Sequence, residues 1–303
     1  MDFNRLFCMQ GMLFALMLLG LLLRRAGMIH EENKGLLTDL VVNVTLPCSI
    51  VKSFEMEFDA EILRSCMVIF LVAAAVQAGS FVLSRFLYPG VEKKRRRVLQ
   101  YATICSNAGI LGNPIAEGVF GFLGLLYASV YLIPQRAFMW SLGLTYFTEC
   151  PSKRELAKKV ATHPCILAVA LGLVIMIFQI PLPGVVDETV KTLAGANTAV
   201  SMLFIGSILA GVSPRSLYSP LAGYYAFVRL FLMPFLVWAG CSLLRIDGVV
   251  MGVAVVLAGM PAASVTAILA SKYGCDEVFA TKCVVFTTLL SMVTVPLWCV
   301  FLG

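Results

Sequence analysis

Ten long apolar segments, each close to 20 residues, run through this chain with only short polar connectors between them. They cover roughly residues 4–23, 35–54, 64–88, 98–121, 124–148, 164–180, 190–212, 220–243, 249–272 and 277–301. A helix needs about 20 apolar residues to cross the hydrocarbon core of a bilayer. Only 13% of the residues are charged and the mean hydropathy is +0.91. We therefore predict an all-α polytopic membrane protein of about ten transmembrane helices, surrounded by lipid.

The basic residues of the connectors are unevenly distributed. Most lysines and arginines follow odd-numbered segments, and the densest run is Lys93–Arg97. Because basic loops remain in the cytoplasm, both termini are predicted on the non-cytoplasmic side of the cell membrane. A basic run can also bind nucleic acid, but beside an apolar segment it is typical of a topology anchor, so no nucleic-acid partner is predicted.

Two of the segments are interrupted by Gly-x-Pro, once at Gly112-Asn113-Pro114 and once at Gly259-Met260-Pro261. A proline removes a backbone donor from a helix, and in a bilayer the freed groups need a cavity or a protein partner. The two interruptions lie about half the chain apart. They predict a five-segment repeat at 1–149, a connecting loop at 150–163, and a second, inverted repeat at 164–303. Such a pair favours the central substrate site of a secondary transporter, with Gly112, Pro114, Met260, Pro261 and Ala263 forming its backbone.

Amide and hydroxyl side chains near the interruptions are candidate ligands for a small anion. Asn107 lies about two turns before Pro114, Asn113 is inside the first interruption, and Ser264 follows the second. Side-chain amides and the N-termini of half-helices donate hydrogen bonds without carrying a full charge. Asn43 and Asn197, in the second and seventh segments, are further candidates. The alternative is that these side chains only join packed helices by hydrogen bonds.

Charged residues inside the segments are few. Glu117 is predicted to couple transport to a proton or another ion, with Gln77 as a weaker candidate, because a carboxyl in a bilayer must be protonated, paired or hydrated. The alternative is a structural pair between Glu117 and Arg136 or Arg229. Those two arginines could clamp a substrate carboxylate, and we interpret them first as structural charges.

Other functional classes find little support in the residues. The ten cysteines form no C-x-x-C pair and mostly lie within apolar segments, which favours free, buried thiols over a disulfide or metal role. We find no nucleophile with a matching base in the segments, and no metal motif or phosphate loop. The chain is therefore not expected to be an enzyme or to hold a cofactor.

Taken in order along the chain, the motifs resemble those of the auxin efflux carrier family. The resemblance rests on Asn107–Ile115, on Met260-Pro261 with Ala270–Tyr273, and on three further groups. These are Leu46-Pro47, Phe204-Ile205-Gly206, and Arg229-Leu230 with Pro234. The resemblance implies two inverted five-helix repeats with crossed broken helices, as in bile-acid transporters. Segments 1, 2, 6 and 7 would form a scaffold and dimer surface, and segments 3–5 and 8–10 a mobile transport domain.

The resemblance also implies a function. Family members move small organic anions, such as malonate, malate or auxin, and the asparagine matching Asn107 contacts the carboxylate. An elevator-type movement in a homodimer is expected. Asn113 and Glu117 depart from the family pattern, and the loop at 150–163 is short, as in bacterial members. Two alternatives remain: a sodium-coupled symporter of the bile-acid type, and a membrane sensor that binds its ligand without moving it.

Overall fold

The computed structural model of the chain is almost entirely helical. It describes residues 3–30, 34–55, 60–139, 142–147, 161–210, 219–263 and 265–302. The helices are α1 (Phe3–Arg25), α2 (Lys34–Leu40), α3 (Leu46–Ser53), α4 (Ala60–Phe86), α5 (Lys93–Ile104), α6 (Asn113–Met139), α7 (Pro164–Phe178), α8 (Gly184–Leu209), α9 (Pro220–Phe227), α10 (Met233–Leu243), α11 (Gly248–Ala258), α12 (Val265–Lys272) and α13 (Glu277–Phe301). Every predicted apolar segment overlaps at least one of them.

Within the part of the chain that the structure describes, four helical stretches are long and apolar enough to cross a membrane by length and composition alone: Ala60–Phe86, Ala108–Met139, Pro220–Leu243 and Glu277–Phe301. Shorter apolar helices cover Val41–Ser53, Pro164–Phe178 and Gly248–Ala258. Large apolar side chains such as Leu18, Leu71, Phe178 and Leu297 are exposed on the helix surfaces. Because such a surface is stable in lipid and not in water, the fold is that of a polytopic integral membrane protein.

Three prolines inside apolar helices are preceded by a short π-helical turn. The turns are Val41–Thr45 before Pro47, Ala108–Gly112 before Pro114, and Val228–Leu232 before Pro234. In each case the proline occupies the first turn of the α-helix that follows, where its missing N–H is not needed. The wider turn lets the chain continue as a helix through the proline instead of breaking there.

Gly121 divides α6 into two parts. Its backbone has φ 69° and ψ −159°, which is not helical and which favours glycine. A Cβ placed on Gly124 would lie 2.4 Å from the carbonyl oxygen of Ala116, although eight residues of straight helix span about 12 Å. The chain therefore turns back at Gly121. This turn separates the fourth predicted segment from the fifth.

The first and seventh segments are in direct backbone contact through two glycines. A Cβ on Gly20 of α1 would lie 2.2 Å from the carbonyl oxygen of Leu203, and one on Gly206 of α8 would lie 1.9 Å from that of Met17. Small residues that let helix backbones approach are a common means of association in membranes. On its other side α8 packs against α3, and α3 in turn packs against α7.

Candidate functional site

Two non-helical stretches from opposite halves of the chain cross and pair with each other. Cys105–Asn107 follows the end of α5, and Gly259–Ala263 follows the end of α11. Ser106 and Ala262 form an antiparallel β-bridge. The N–H of Asn107 donates to the carbonyl oxygen of Pro261 at 2.8 Å, and that of Ala263 to Cys105 at 3.4 Å. The freed backbone groups of each break are thus partly satisfied by the other.

The first break lies earlier in the chain than the Gly-x-Pro motif predicts. Gly112 and Pro114 belong to a helix that continues from Ala108, because the π-helical turn accommodates the proline. A Cβ on Gly112 would lie 2.5 Å from Leu257 Cδ2, so this glycine allows close packing against α11. Asn107 is therefore at the break itself and not two turns away from it. In the second half, Met260 and Pro261 do lie within the break.

Arg229 ties the ends of both broken helices together. Its Nε donates to the carbonyl oxygen of Met260 at 2.8 Å, and its Nη1 to that of Thr103 at 2.9 Å. The side chain is only 3% exposed. A positive charge at the carbonyl ends of helices complements their dipoles. Arg229 makes no ion pair with Glu117, and its contacts are those of a structural charge.

A cavity of about 440 Å³ lies beside the crossing. Its lining comes from both halves of the chain: Asp39, Val42, Asn43, Leu46, Ser106, Asn107, Gly109, Ile110, Leu132, Gln135, Arg136, Met139, His163, Pro164, Cys165, Phe204, Ala263 and Val265. Asp39 and Asn43 are exposed, whereas Asn107 and Arg136 are only 4% and 6% exposed. The cavity therefore leads from the protein surface at α2 to the crossing.

Two buried polar atoms of the lining residues have no hydrogen-bond partner, and both are donors. They are Nδ2 of Asn107 and Nη1 of Arg136. The neighbouring amide of Gln135 is fully engaged: its Oε1 accepts from Ser106 Oγ at 3.1 Å, and its Nε2 donates to the Ser106 carbonyl at 2.8 Å. Unpaired buried donors without unpaired acceptors beside them suit a ligand that only accepts hydrogen bonds, such as a carboxylate.

Arg136, which the sequence predicts as a structural charge, lies at the wall of the cavity. Among the described residues it forms no salt bridge, either with Glu117 or with any other carboxylate, and its guanidinium lies at the cavity beside Gly109. A Cβ on Gly109 would lie 3.6 Å from its Nη2. The charge is thus buried at the cavity wall and available to a ligand.

His163 lies in the connector just before α7 and is neutral at physiological pH. Burial, and then the nearby charge of Arg136, lower the pKa of His163 to about 4. Its Nδ1 accepts the N–H of Cys165 at 3.3 Å and so caps α7. The hydrogen of a neutral imidazole then lies on Nε2. Asp39 is the one carboxylate among the described residues that line the cavity.

The other predicted ligands are distributed between the cavity and the helix interfaces. Asn43 and Ala263 line the cavity. Asn197 is fully buried and accepts a hydrogen bond from Thr45 Oγ1 at 3.2 Å, so it joins the second and seventh segments. Ser264 lies outside the described residues, and Ala263 and Val265, which flank it in the sequence, line the cavity.

Three further predicted residues, Asn113, Glu117 and Gln77, also lie outside the cavity lining. Asn113 is fully buried, and neither atom of its amide has a partner. Glu117 is half-buried and makes no ion pair with the residues that the structure describes. Gln77 is half-buried with an unpartnered Nε2. Their positions neither add to nor exclude a role in ion coupling.

Asp39, Ser106 and His163 belong to the cavity although the sequence pattern does not single them out as ligands. Asp39 precedes Asn43 by four residues, which places both on one face of a helix. That spacing is a signal the sequence contains. Ser106 and His163 reach the cavity through the fold, because the break and the end of the connector are brought together only in three dimensions.

Comparisons with known proteins match nearly the whole chain to membrane transport proteins. A family model described as a membrane transport protein matches residues 11–299. A protein of Methanothermobacter thermautotrophicus, named an uncharacterized transporter, is 28% identical over 297 residues, which are 95% of this chain and 95% of that protein. A Rhizobium meliloti protein provisionally named a malonate transporter is 26% identical, over 93% of this chain and 91% of its own length. Auxin efflux carrier component 2 of rice (Oryza sativa subsp. japonica) is 24% identical over 152 residues, or 50% of this chain and 24% of its own.

Proposed function

The chain belongs to the auxin efflux carrier family of membrane transport proteins, and we propose that it is a secondary carrier of small organic anions bound beside the helix crossing. The observation that carries this proposal is the pair of unpartnered buried donors, Asn107 Nδ2 and Arg136 Nη1, in the wall of one cavity. A small anion that bears a carboxylate would offer acceptors to both donors and would neutralise the buried charge. Carboxylates such as malonate, malate or auxin-like acids are the substrates that we propose.

The position of the cavity supports movement of one group of helices against another. Its lining residues come partly from the proposed scaffold, with Asn43, Cys165 and Phe204, and partly from the proposed transport domain, with Asn107 and Arg136. Both donors are on the transport domain, so a bound anion would travel with it. An elevator-type movement of the two inverted five-helix repeats would then expose the site to each side of the membrane in turn.

The mouth of the cavity supports an inward-facing state. Asp39 and Asn43 lie near the start of the second segment, and His163 lies at the end of the connecting loop 150–163. The distribution of basic residues predicts both of these places on the cytoplasmic side. We propose a location in the cell membrane with both termini outside the cytoplasm, and a homodimer formed through the scaffold.

The proposed substrate contact is tested by replacing Asn107. Loss of a buried donor that pairs with a charged group lowers affinity by about tenfold or more. Asn107→Ala protein in proteoliposomes should take up radiolabelled carboxylates at least about tenfold more slowly at low substrate concentration. Asn197→Ala is a matched control, because Asn197 is equally buried but lies outside the cavity lining. Uptake at the normal rate by Asn107→Ala would contradict the assignment.

The first proposal for coupling is that Glu117 carries a proton. It is half-buried in α6 without an ion pair among the described residues, and a carboxyl in such a place is readily protonated. Glu117→Gln should abolish accumulation driven by a pH gradient and leave exchange of labelled for unlabelled anion intact. Unchanged gradient dependence would assign Glu117 a structural role.

A sodium-coupled mechanism is the second candidate, and it rests on Asn113 and Thr266. Both are fully buried, Asn113 in the helix that follows the first break and Thr266 three residues after the second. Asn113 Oδ1 and Thr266 Oγ1 are acceptors without a partner. Oxygen atoms of this kind are the usual ligands of hard cations. Uptake that depends on sodium in the wild type and loses this dependence in Asn113→Leu would favour it. Saturable binding without any uptake or counterflow would favour a membrane sensor instead.

A further inference from the structure

We propose that Arg136 and Asn107 form the two ends of one substrate-binding site. Arg136 recognises the negative charge of the substrate, and Asn107 donates a hydrogen bond to a second polar group. This inference rests on the proposed carrier function and concerns the same cavity. Arg136 would take a carboxylate through its guanidinium. Asn107 would donate to a carbonyl, carboxylate or hydroxyl oxygen at the other end of the molecule.

The comparison of the two buried arginines indicates that Arg136 binds a ligand. Arg229 is 3% exposed and its Nε and Nη1 donate to Met260 and Thr103. Arg136 is 6% exposed, its Nη1 has no partner, and no carboxylate among the described residues pairs with it. Leaving a buried charge uncompensated is strongly unfavourable. An anion entering the cavity would supply the missing partner.

The surroundings of Arg136 leave its charge effective in the cavity. His163, which the charge of Arg136 reaches, is neutral because its pKa is lowered to about 4. Asp39 is exposed at the mouth, where water screens its carboxylate. Gly109 has no side chain to cover the guanidinium, which lies beside it. A planar guanidinium that is open on one side matches the geometry of a carboxylate.

The second end of the site is Asn107. Its backbone is held by Pro261 across the break, so the side chain has a defined position. Gly109, next to the guanidinium, follows Asn107 by two residues, and two residues of chain span at most about 7 Å. The two donors therefore belong to the same part of the cavity wall. Gln135 differs from both residues, because each end of its amide already has a partner in Ser106.

The two ends can be tested separately with three four-carbon probes. Succinamate has a carboxylate and an amide, succinamide has two amides, and butyrate has a carboxylate and a methyl group. Binding to the purified wild-type protein is measured by isothermal titration calorimetry in detergent. Succinamate should bind about tenfold or more tightly than succinamide, because only it carries a charge for Arg136. It should bind several-fold more tightly than butyrate, which lacks the acceptor for Asn107.

The variants assign each difference to a residue. Arg136→Gln should weaken succinamate and butyrate by the same factor, about tenfold or more, and remove the preference for succinamate over succinamide. Asn107→Ala should reduce the ratio of succinamate to butyrate affinity to near one and keep the preference for charge. Arg136→Lys should retain part of that preference, because the charge remains without the fork. Arg64→Gln, on the exposed surface of α4, should change neither ratio.

Several outcomes would overturn the inference. Equal binding of succinamate and succinamide by the wild type would show that no charge is read, even if Arg136→Gln does not fold. Binding of none of the three probes would also contradict it. A folded Arg136→Gln protein with unchanged affinities would make Arg136 structural. Uptake of carboxylates in proteoliposomes alongside any of these results would leave the proposed carrier function standing, whereas absence of all uptake would contradict that function itself.

Discussion

Buried polar side chains are the feature that most distinguishes these helices from simple apolar membrane helices. Thr45 donates to Asn197 Oδ1 across two helices, and Gln135 accepts from Ser106 at the break. Asn197 Nδ2 is buried without a partner, but Asn197 lies outside the cavity lining. Asn107 and Arg136 are equally buried and keep a free donor each. An unpaired donor is unfavourable in a medium of low polarity. Among the described residues, Asn107 and Arg136 combine such a donor with a place in the cavity wall, where a ligand can supply the missing acceptor.

The carboxyl group of Asp276 predicts how the stability of the fold depends on pH. Burial alone would raise the pKa of Asp276, but hydrogen bonds from Arg95 and from the N–H of Phe279 outweigh it and lower the pKa below its ordinary value. Its Oδ1 caps α13, and its Oδ2 accepts from Arg95 Nε at 2.8 Å. A carboxyl with a lowered pKa stabilises the fold above its unfolded pKa, near 3.9, and this contribution is lost as the pH falls through the folded pKa.

Asp276→Asn should therefore lower the thermal midpoint at neutral pH, because the cap remains and the charge is lost. The expected loss is about 1 kcal/mol or less, since the pair with Arg95 is partly exposed. Asp276→Ala should lose about 1 kcal/mol more, because it also removes the cap. Both effects are measured as thermal midpoints in detergent at about pH 7 and about pH 3. The difference between wild type and Asp276→Asn should become smaller at the lower pH, and a difference that is as large at about pH 3 as at about pH 7 would contradict the linkage.

At the level of the helices, close backbone contact matters as much as hydrophobicity. Gly20 and Gly206 let α1 and α8 touch through their backbones, whereas Gly195, on the same helix α8, has no atom within 4 Å of the position of a Cβ. Replacement by alanine would raise the helix propensity at both Gly206 and Gly195. Only at Gly206 would the added methyl group meet a backbone carbonyl.

Gly206→Ala should therefore destabilise the protein by about 1–3 kcal/mol relative to Gly195→Ala, since the two helices must move apart. The measurement is the thermal midpoint of the two variants in the same detergent, supported by chemical denaturation. Gly195→Ala should be neutral or slightly stabilising. Equal midpoints would show that the α1–α8 contact can relax without loss.

For the whole molecule, contacts between connectors support the predicted sidedness. Arg95 and Asp276 join the connectors after the third and ninth segments, both predicted in the cytoplasm. Lys52 pairs with Asp187 at 2.7 Å, and these residues flank connectors predicted on the other side. The hydrogen bond from Lys52 lowers the pKa of Asp187. Each ion pair thus joins connectors assigned to one side.

Cysteine labelling tests this topology. In a variant without the native cysteines, Glu188→Cys should react with a membrane-impermeant maleimide in intact cells. Lys94→Cys should react only after the cells are permeabilised, because the basic run Lys93–Arg97 is predicted in the cytoplasm. Both positions are exposed, so access differs only by side. The reverse pattern would invert the orientation, and labelling of both positions in intact cells would contradict the assignment of sides.

The apolar segments and their approximate ends follow from composition and length, because burial in lipid imposes the same requirement on every spanning helix. Family membership and Asn107 as a candidate ligand were likewise accessible from local motifs. The position of the first break could not be predicted from local motifs. A proline in the first turn of a helix needs no donor, so Pro114 continues a helix, and the break falls at Cys105–Asn107, where Pro261 and Arg229 hold the chain.

The limit of prediction from the sequence is clearest for Arg136 and Arg229. Both are arginines inside apolar segments, and no local pattern distinguishes them. The fold brings the carbonyl oxygens of Thr103 and Met260 to Arg229, whereas Arg136 lies beside Gly109 at the cavity and forms no salt bridge with the described residues. The partners of a buried charge come from residues far away in the chain. Its role as a structural tie or as a ligand site therefore depends on packing, whereas its presence in a membrane helix is already visible in the sequence.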